Sequence, residues 1–96
     1  MASVEHIELE DLLKASIEQL IMEADKRGIY IGVNCSAQYR LQTSRSELLS
    51  LFNNLIGNAM LHTPEGSLVD VKQHRIADKT VVDIVDNGAR YARILC

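Results

Sequence analysis

Residues 48–66 read LLSLFNNLIGNAMLHTPEG, and their spacing decides how the rest of the chain is read. Apolar side chains at Leu48, Leu51, Phe52, Leu55, Ile56, Ala59 and Met60 recur at the three-and-four spacing of a helix with one buried face. Asn54, Asn58 and His62 stand four apart, so successive turns stack them in one polar line beside that stripe. Asparagine is a poor interior helix residue because its amide competes for backbone hydrogen bonds. Two of them at this spacing leave two readings, a solvated face or a line turned toward a ligand. Ahead of the helix, Ser44-Arg-Ser-Glu47 has the form of a capping box, which assigns Glu47 a structural role in preference to that of a catalytic base. Pro64 disfavours helical geometry in the residue before it and Gly66 supplies a turn, so the helix ends near His62 or Thr63.

Working outward from this helix, the flanking segments alternate in type. Residues 4–9 mix apolar and acidic side chains, as in an edge strand or extended lead-in. Leu9, Leu12, Leu13, Ile17, Leu20, Ile21 and Ala24 trace a helix over 9–26, with acids in its first turn, Lys26 and Arg27 in its last, and Gly28 as its stop. Residues 29–33 and 39–42 read as strands around a turn at 34–38. Beyond the central helix, residues 67–76 and 79–86 read as a hairpin closed by Ala77-Asp78, with Val69, Val71, Val82 and Ile84 for the core. The order of strand, helix, two strands, helix and hairpin implies an α+β fold in which two helices cover one face of a mixed sheet.

At 96 residues there is room for one domain, and with one Phe, three Tyr and no Trp its core is aliphatic. A net charge of −3 gives no basic field for nucleic acid, and no apolar run approaches the length of a membrane span. The acidic start is unlike a signal peptide, so the chain is expected in the cytoplasm. Cys35 and Cys96 lack metal or redox spacing and read as reduced structural thiols.

Asn54-Leu-Ile-Gly-Asn58-Ala, continued by His62-Thr-Pro-Glu-Gly66, resembles the N box of sensor histidine kinases. Val81-Val-Asp-Ile-Val-Asp86-Asn87-Gly88 resembles the strand and turn of that family's first glycine box. The resemblance covers residues 4–88 and implies the first part of a two-layer α/β sandwich of the histidine kinase ATPase (Bergerat, GHKL) type. It also implies ATP and Mg²⁺ as ligands. Asn58 would offer its amide oxygen to the metal, a suitable hard ligand, and Asn54 would support metal-bound water and phosphates. His62 would lie beside the nucleotide. Asp86 would accept from the adenine amino group, although a strand-end Asp before Asn-Gly is also ordinary turn chemistry. Gly88 would let the backbone approach the base.

The pattern departs from the family in three places. Leu61 stands where a Lys or Arg commonly meets phosphate, and Arg90 stands at the second glycine of the glycine box. The lid, the second glycine box and a phosphoaccepting histidine in its usual context are missing, His6, His62 and His74 included. Residues 1–88 therefore read as the N-terminal part of an ATP-binding domain and 89–96 as an aberrant tail. A one-base frameshift after Gly88 accounts for that tail, because codons for Ala89 to Ile94 can be chosen that read Pro-Gly-Met-Pro-Glu-Ser in the neighbouring frame.

The parent activity implied is ATP-dependent autophosphorylation of a histidine in a two-component system. Its partner is the kinase's dimerisation and phosphoacceptor domain, and the parent is a candidate for membrane anchoring. This chain alone is expected to bind ATP weakly and to lack kinase activity. The alternative is a non-catalytic interaction module of the same fold. The 79–86 strand, left without later neighbours, is expected to drive homo-oligomer formation.

Overall fold

The computed structural model describes residues 3–96. β1 (Val4–Glu8) pairs antiparallel with β3 (Arg40–Ser44) in a two-stranded ribbon, where the Arg40 guanidinium donates to the Glu8 carboxylate at 2.8 Å. A separate four-stranded sheet has the order β2-β4-β5-β6. In it β2 (Tyr30–Cys35) runs parallel to β4 (Leu68–Ile76), and β5 (Lys79–Asp86) and β6 (Ala89–Leu95) follow as antiparallel neighbours. Helices α1 (Leu9–Lys26) and α2 (Arg45–Leu61) cover one face, giving the two-layer α+β arrangement with a mixed sheet that the order of elements implies.

Each helix has its boundary chemistry in place. Ser44 accepts from the Glu47 N–H at 3.3 Å and caps α2; the reciprocal bond, donated by the Ser44 N–H to the exposed Glu47 carboxylate, is not formed among the described residues. At the other end the Thr63 hydroxyl donates to the Ala59 carbonyl at 2.7 Å, holding the last turn before Pro64. Gly28, at φ +65°, lets the chain leave α1, and its carbonyl accepts from the Gly66 N–H at 2.7 Å. One short contact thus ties both loops at this end of the molecule.

The core lies between the helices and the inner face of the sheet. Phe52, Ile56, Ala59 and Met60 of α2 meet Leu9, Leu12, Leu13 and Ile17 of α1 above Val69, Val71, Val82 and Ile84. Ile21 and Leu51, expected on the buried stripes, are 44% and 43% exposed. A short chain cannot cover every apolar position of two helices with a four-stranded sheet. β2 runs two residues beyond its expected end because the parallel ladder continues through Asn34 and Cys35, closed by Ser36 donating twice to the Gln73 carbonyl.

The strand at 79–86 is not left uncovered. Residues 89–95, read from the sequence as an aberrant tail, form β6 and pair along it from Asp86↔Ala89 to Val81↔Leu95. Asn87 at φ +51° and Gly88 at φ +85° make the two-residue connection, the left-handed pair that suits the twist of a hairpin. The outermost strand on that side of the sheet is therefore β6.

Candidate functional site

Asn54 and Asn58 on α2 and His62 at its C-cap are all exposed, at four-residue intervals. Asn54 and Asn58 line a cleft of about 240 Å³ between the helices, opposite Leu20 and Glu23 of α1 and Arg27 just past its end. Neither amide has a hydrogen-bond partner among the described residues, so both remain available to a ligand. Leu61 closes the end of this cleft and is 57% exposed. The cation facing it is Arg27, whose Nε lies 3.2 Å from Glu23 Oε1 across one helical turn.

His62 sits one turn further on, and its ring lies nearly parallel to that of Tyr91, at 17° with centroids 6.5 Å apart. This stacked pair joins the end of α2 to β6. Asp86 ends β5 with its side chain on the helix side of the sheet, in register with Val69. Its Oδ1 is buried without a partner among the described residues, an acceptor that suits an amino donor such as that of adenine. Asp86 and the α2 asparagines thus share one side of the sheet, although Asp86 is not among the residues lining the asparagine cleft. Gly88 lines a different cleft, on the opposite face. Nothing approaches within 4 Å of the position a Gly88 Cβ would take, so its positive φ, and not crowding, accounts for glycine there.

Two neighbouring asparagines carry structural roles that the spacing did not single out. Asn53 accepts from the Ser16 hydroxyl at 2.5 Å and donates to Gln19 Oε1 at 2.6 Å, pinning α2 to α1. The signal available was Ser16 itself, a polar residue set in the apolar stripe of the first helix. Asn87 accepts from the Leu68 N–H at 3.0 Å and donates to the Ser67 hydroxyl at 2.8 Å, fastening the hairpin turn to the start of β4. Burial raises the thiol pKa of both Cys35 and Cys96, which keeps them protonated and unreactive, in keeping with structural cysteines.

For a nucleotide with Mg²⁺, the residues fit on the base and metal sides. Free amide oxygens and an unpartnered buried carboxylate oxygen are suitable acceptors, while the phosphate side has one cation already engaged. No helix among the described residues is long and apolar enough to cross a membrane, and they contain no cluster of His, Cys, Asp or Glu suited to a metal by itself.

Two helices on one face of a mixed four-stranded sheet define a two-layer α+β sandwich. Over 89 residues the chain is 36% identical to the sensor protein QseC of Escherichia coli K12, a span covering 92% of this chain and 19% of QseC. The alginate biosynthesis sensor protein KinB of Pseudomonas aeruginosa is 27% identical over 82 residues, 84% of this chain and 14% of KinB. The solved cytoplasmic segment of histidine kinase QseC matches with a TM-score of 0.75 at 31% identity, over 86% of this chain and 54% of that one. The catalytic domain of histidine kinase ThkA matches with a TM-score of 0.78 at 16% identity, over 88% and 58%. No family model matches the chain. The chain is thus homologous to the catalytic domains of sensor histidine kinases and shares their fold, and it spans about a fifth of the length of QseC.

Proposed function

We propose that this chain is the part of a sensor histidine kinase catalytic domain that receives the adenine and metal ends of Mg²⁺-ATP, and that alone it is not a kinase. The reading is carried by unpartnered polar groups on one side of the sheet: the Asn54 and Asn58 amides in their cleft, and Asp86 Oδ1. Asn58 offers an amide oxygen to Mg²⁺, Asn54 supports the water and phosphates around it, and His62 flanks the nucleotide. Asp86 accepts from the adenine amino group, and Gly88 gives the backbone access to the base. Bound ATP supplies the γ-phosphoryl group that the parent kinase moves to a histidine of its dimerisation and phosphoacceptor domain.

Phosphoryl transfer depends on positioning and charge stabilisation. Here the phosphate side offers Leu61 and an Arg27 already paired with Glu23. Calorimetry with ATP and Mg²⁺ should therefore give a dissociation constant nearer millimolar than micromolar, lost in Asn58→Ala and in Asp86→Asn. Binding that survives both substitutions would falsify this assignment. ThkA has been solved in complex with the response regulator TrrA; by the same homology the parent's downstream partner is a response regulator, and its place of action is the cytoplasm.

A second reading, a self-associating interaction module, is favoured by β6. This outer strand leaves Tyr91 40% and Leu95 66% exposed beside an unpaired ladder edge. Light scattering across a dilution series should then report a dimer at micromolar concentration. A compact monomer throughout removes the second reading and leaves the first untouched.

A further inference from the structure

The face of the four-stranded sheet turned away from the helices holds a cleft of about 380 Å³, lined among others by Asn34, Lys72, His74, Asp83 and Arg90. Register builds it. Asn34, Lys72, Asp83 and Arg93 fall in one cross-strand row, and Arg90 enters the next row opposite Val85, beside a register shift between Ile84 and Val85.

The charges in this cleft do not cancel. Asp83 uses both oxygens: Arg93 Nε donates to Oδ1 at 2.6 Å, and Arg93 Nη2 and His74 Nε2 lie 2.8 Å from Oδ2. Asp70 is the other carboxylate of this face, and it leans over Gly32 at the β2 edge, with Val85 between it and Arg90. Among the described residues no carboxylate lies within ion-pairing distance of Lys72 or Arg90. A chain of net charge −3 thus gathers two unneutralised cations at one concavity, an arrangement that focuses positive potential and favours an anion there.

We propose that this cleft binds a phosphate group, either as the free ion or on a small phosphate monoester. A guanidinium fork matches two phosphate oxygens and an ammonium adds a compact charge, so Arg90 and Lys72 complement a dianion better than they complement a single carboxylate. The Asn34 amide adds a neutral donor at the rim. Asp83 holds the Arg93 fork in place and stays ionised while doing so. The site lies on the opposite face of the sheet from Asn54, Asn58 and Asp86; Gly88 alone is shared with the nucleotide reading, and the proposal rests on Lys72 and Arg90, not on it.

The test is a ¹H–¹⁵N NMR titration of the whole chain with inorganic phosphate, and in parallel with methyl phosphate, at ionic strength held constant with chloride. Shifts should saturate and concentrate around Asn34, Lys72, Asp83 and Arg90. Lys72→Ala and Arg90→Ala should each weaken binding about three- to tenfold, the range for an exposed charged contact. Both side chains are exposed, and melting curves will verify that the variants fold. Asn58→Ala should leave the titration unchanged, which separates failure here from failure of the nucleotide site. Saturation with both compounds assigns the site to monoesters, and saturation with phosphate alone assigns it to the free ion. Shifts that do not saturate, or a constant indifferent to Lys72→Ala and Arg90→Ala, would overturn the proposal.

Discussion

The two faces of the four-stranded sheet are built from alternate residues of the same strands, yet they obey different physics. Toward the helices stand Val69, Val71, Val82 and Ile84, all fully buried. Toward solvent the same strands carry Asp70, Lys72, His74 and Asp83, joined by Arg90 and Arg93 from β6. The inner face works by removing apolar area from water and tolerates little loss of volume. The outer face works by charge, which water screens, so its contribution is smaller and depends on pH. Stability therefore belongs mainly to one face, and recognition has room on the other.

The sharpest way to break that contrast is to open the inner face. Ile84→Ala removes most of a fully buried side chain beneath α2 and should destabilise the chain by about 2–5 kcal/mol in urea unfolding. Val85→Ala, next along the strand and half-exposed on the outer face, should cost much less. Equal losses at the two positions would mean that the faces do not differ as described.

Besides Asp86 at the end of β5, the inner face carries the polar side chain of Gln73 on β4. Gln73 is 1% exposed, and both its Oε1 and Nε2 lack partners among the described residues. Burying an amide unsatisfied costs about 1–3 kcal/mol, so Gln73→Met, which keeps the unbranched stem and similar length and loses the amide, should raise the urea midpoint. A lower midpoint would show that the amide has a bonded partner in solution.

These contrasts also explain what the sequence disclosed. Periodicity located α1, α2 and the β4–β5 hairpin because each buries one face against the same core, and that face writes a repeat into the chain. The candidate line Asn54, Asn58 and His62 was legible for the same reason, since four-residue spacing fixes a common side. β6 was missed although its signals were present. Asn87-Gly88 is a strong two-residue hairpin turn, and Ala92 and Ile94 return to the inner face while Arg93 and Leu95 point out. Asp86-Asn87-Gly88 suits a glycine box and a hairpin turn alike, and only the pairing of residues 89–95 along β5 separates the two. The clamp from Asn53 to Ser16 was not legible as such, because its partners lie 37 residues apart and only tertiary packing brings them together.

On the outer face the expected effect is pH-dependent. The Arg93 guanidinium, with help from His74 and against the effect of burial, lowers the Asp83 pKa from 3.8 to about 2. A carboxylate lowered in the folded state stabilises it fully above the unfolded value and loses that contribution as pH falls through the folded one. The Asp83 share should therefore be intact at pH 5 and fade between about pH 4 and pH 2. Melting curves of the native chain and of Asp83→Asn across that window isolate it: the difference between them should shrink as the acid is protonated. A constant difference would mean that the ion pair with Arg93 is not formed in solution.

The smallest effect belongs to the turn that joins the two faces' central strands. Ala77 takes φ +56° at the first position of the two-residue β4–β5 loop, in register between Ile76 and Lys79. A Cβ makes that left-handed conformation unfavourable, and glycine relieves it. Glycine also increases the freedom of the unfolded chain, which offsets part of the gain. Ala77→Gly should thus stabilise by a net of about 0.5 kcal/mol, since the local relief of roughly 1–2 kcal/mol exceeds the added backbone entropy. The side chain is exposed, so packing contributes little to the balance. Careful urea titrations of the two proteins resolve a shift of this size. A lower stability for Ala77→Gly would place the strain elsewhere in the hairpin and show that the unfolded state decides this position.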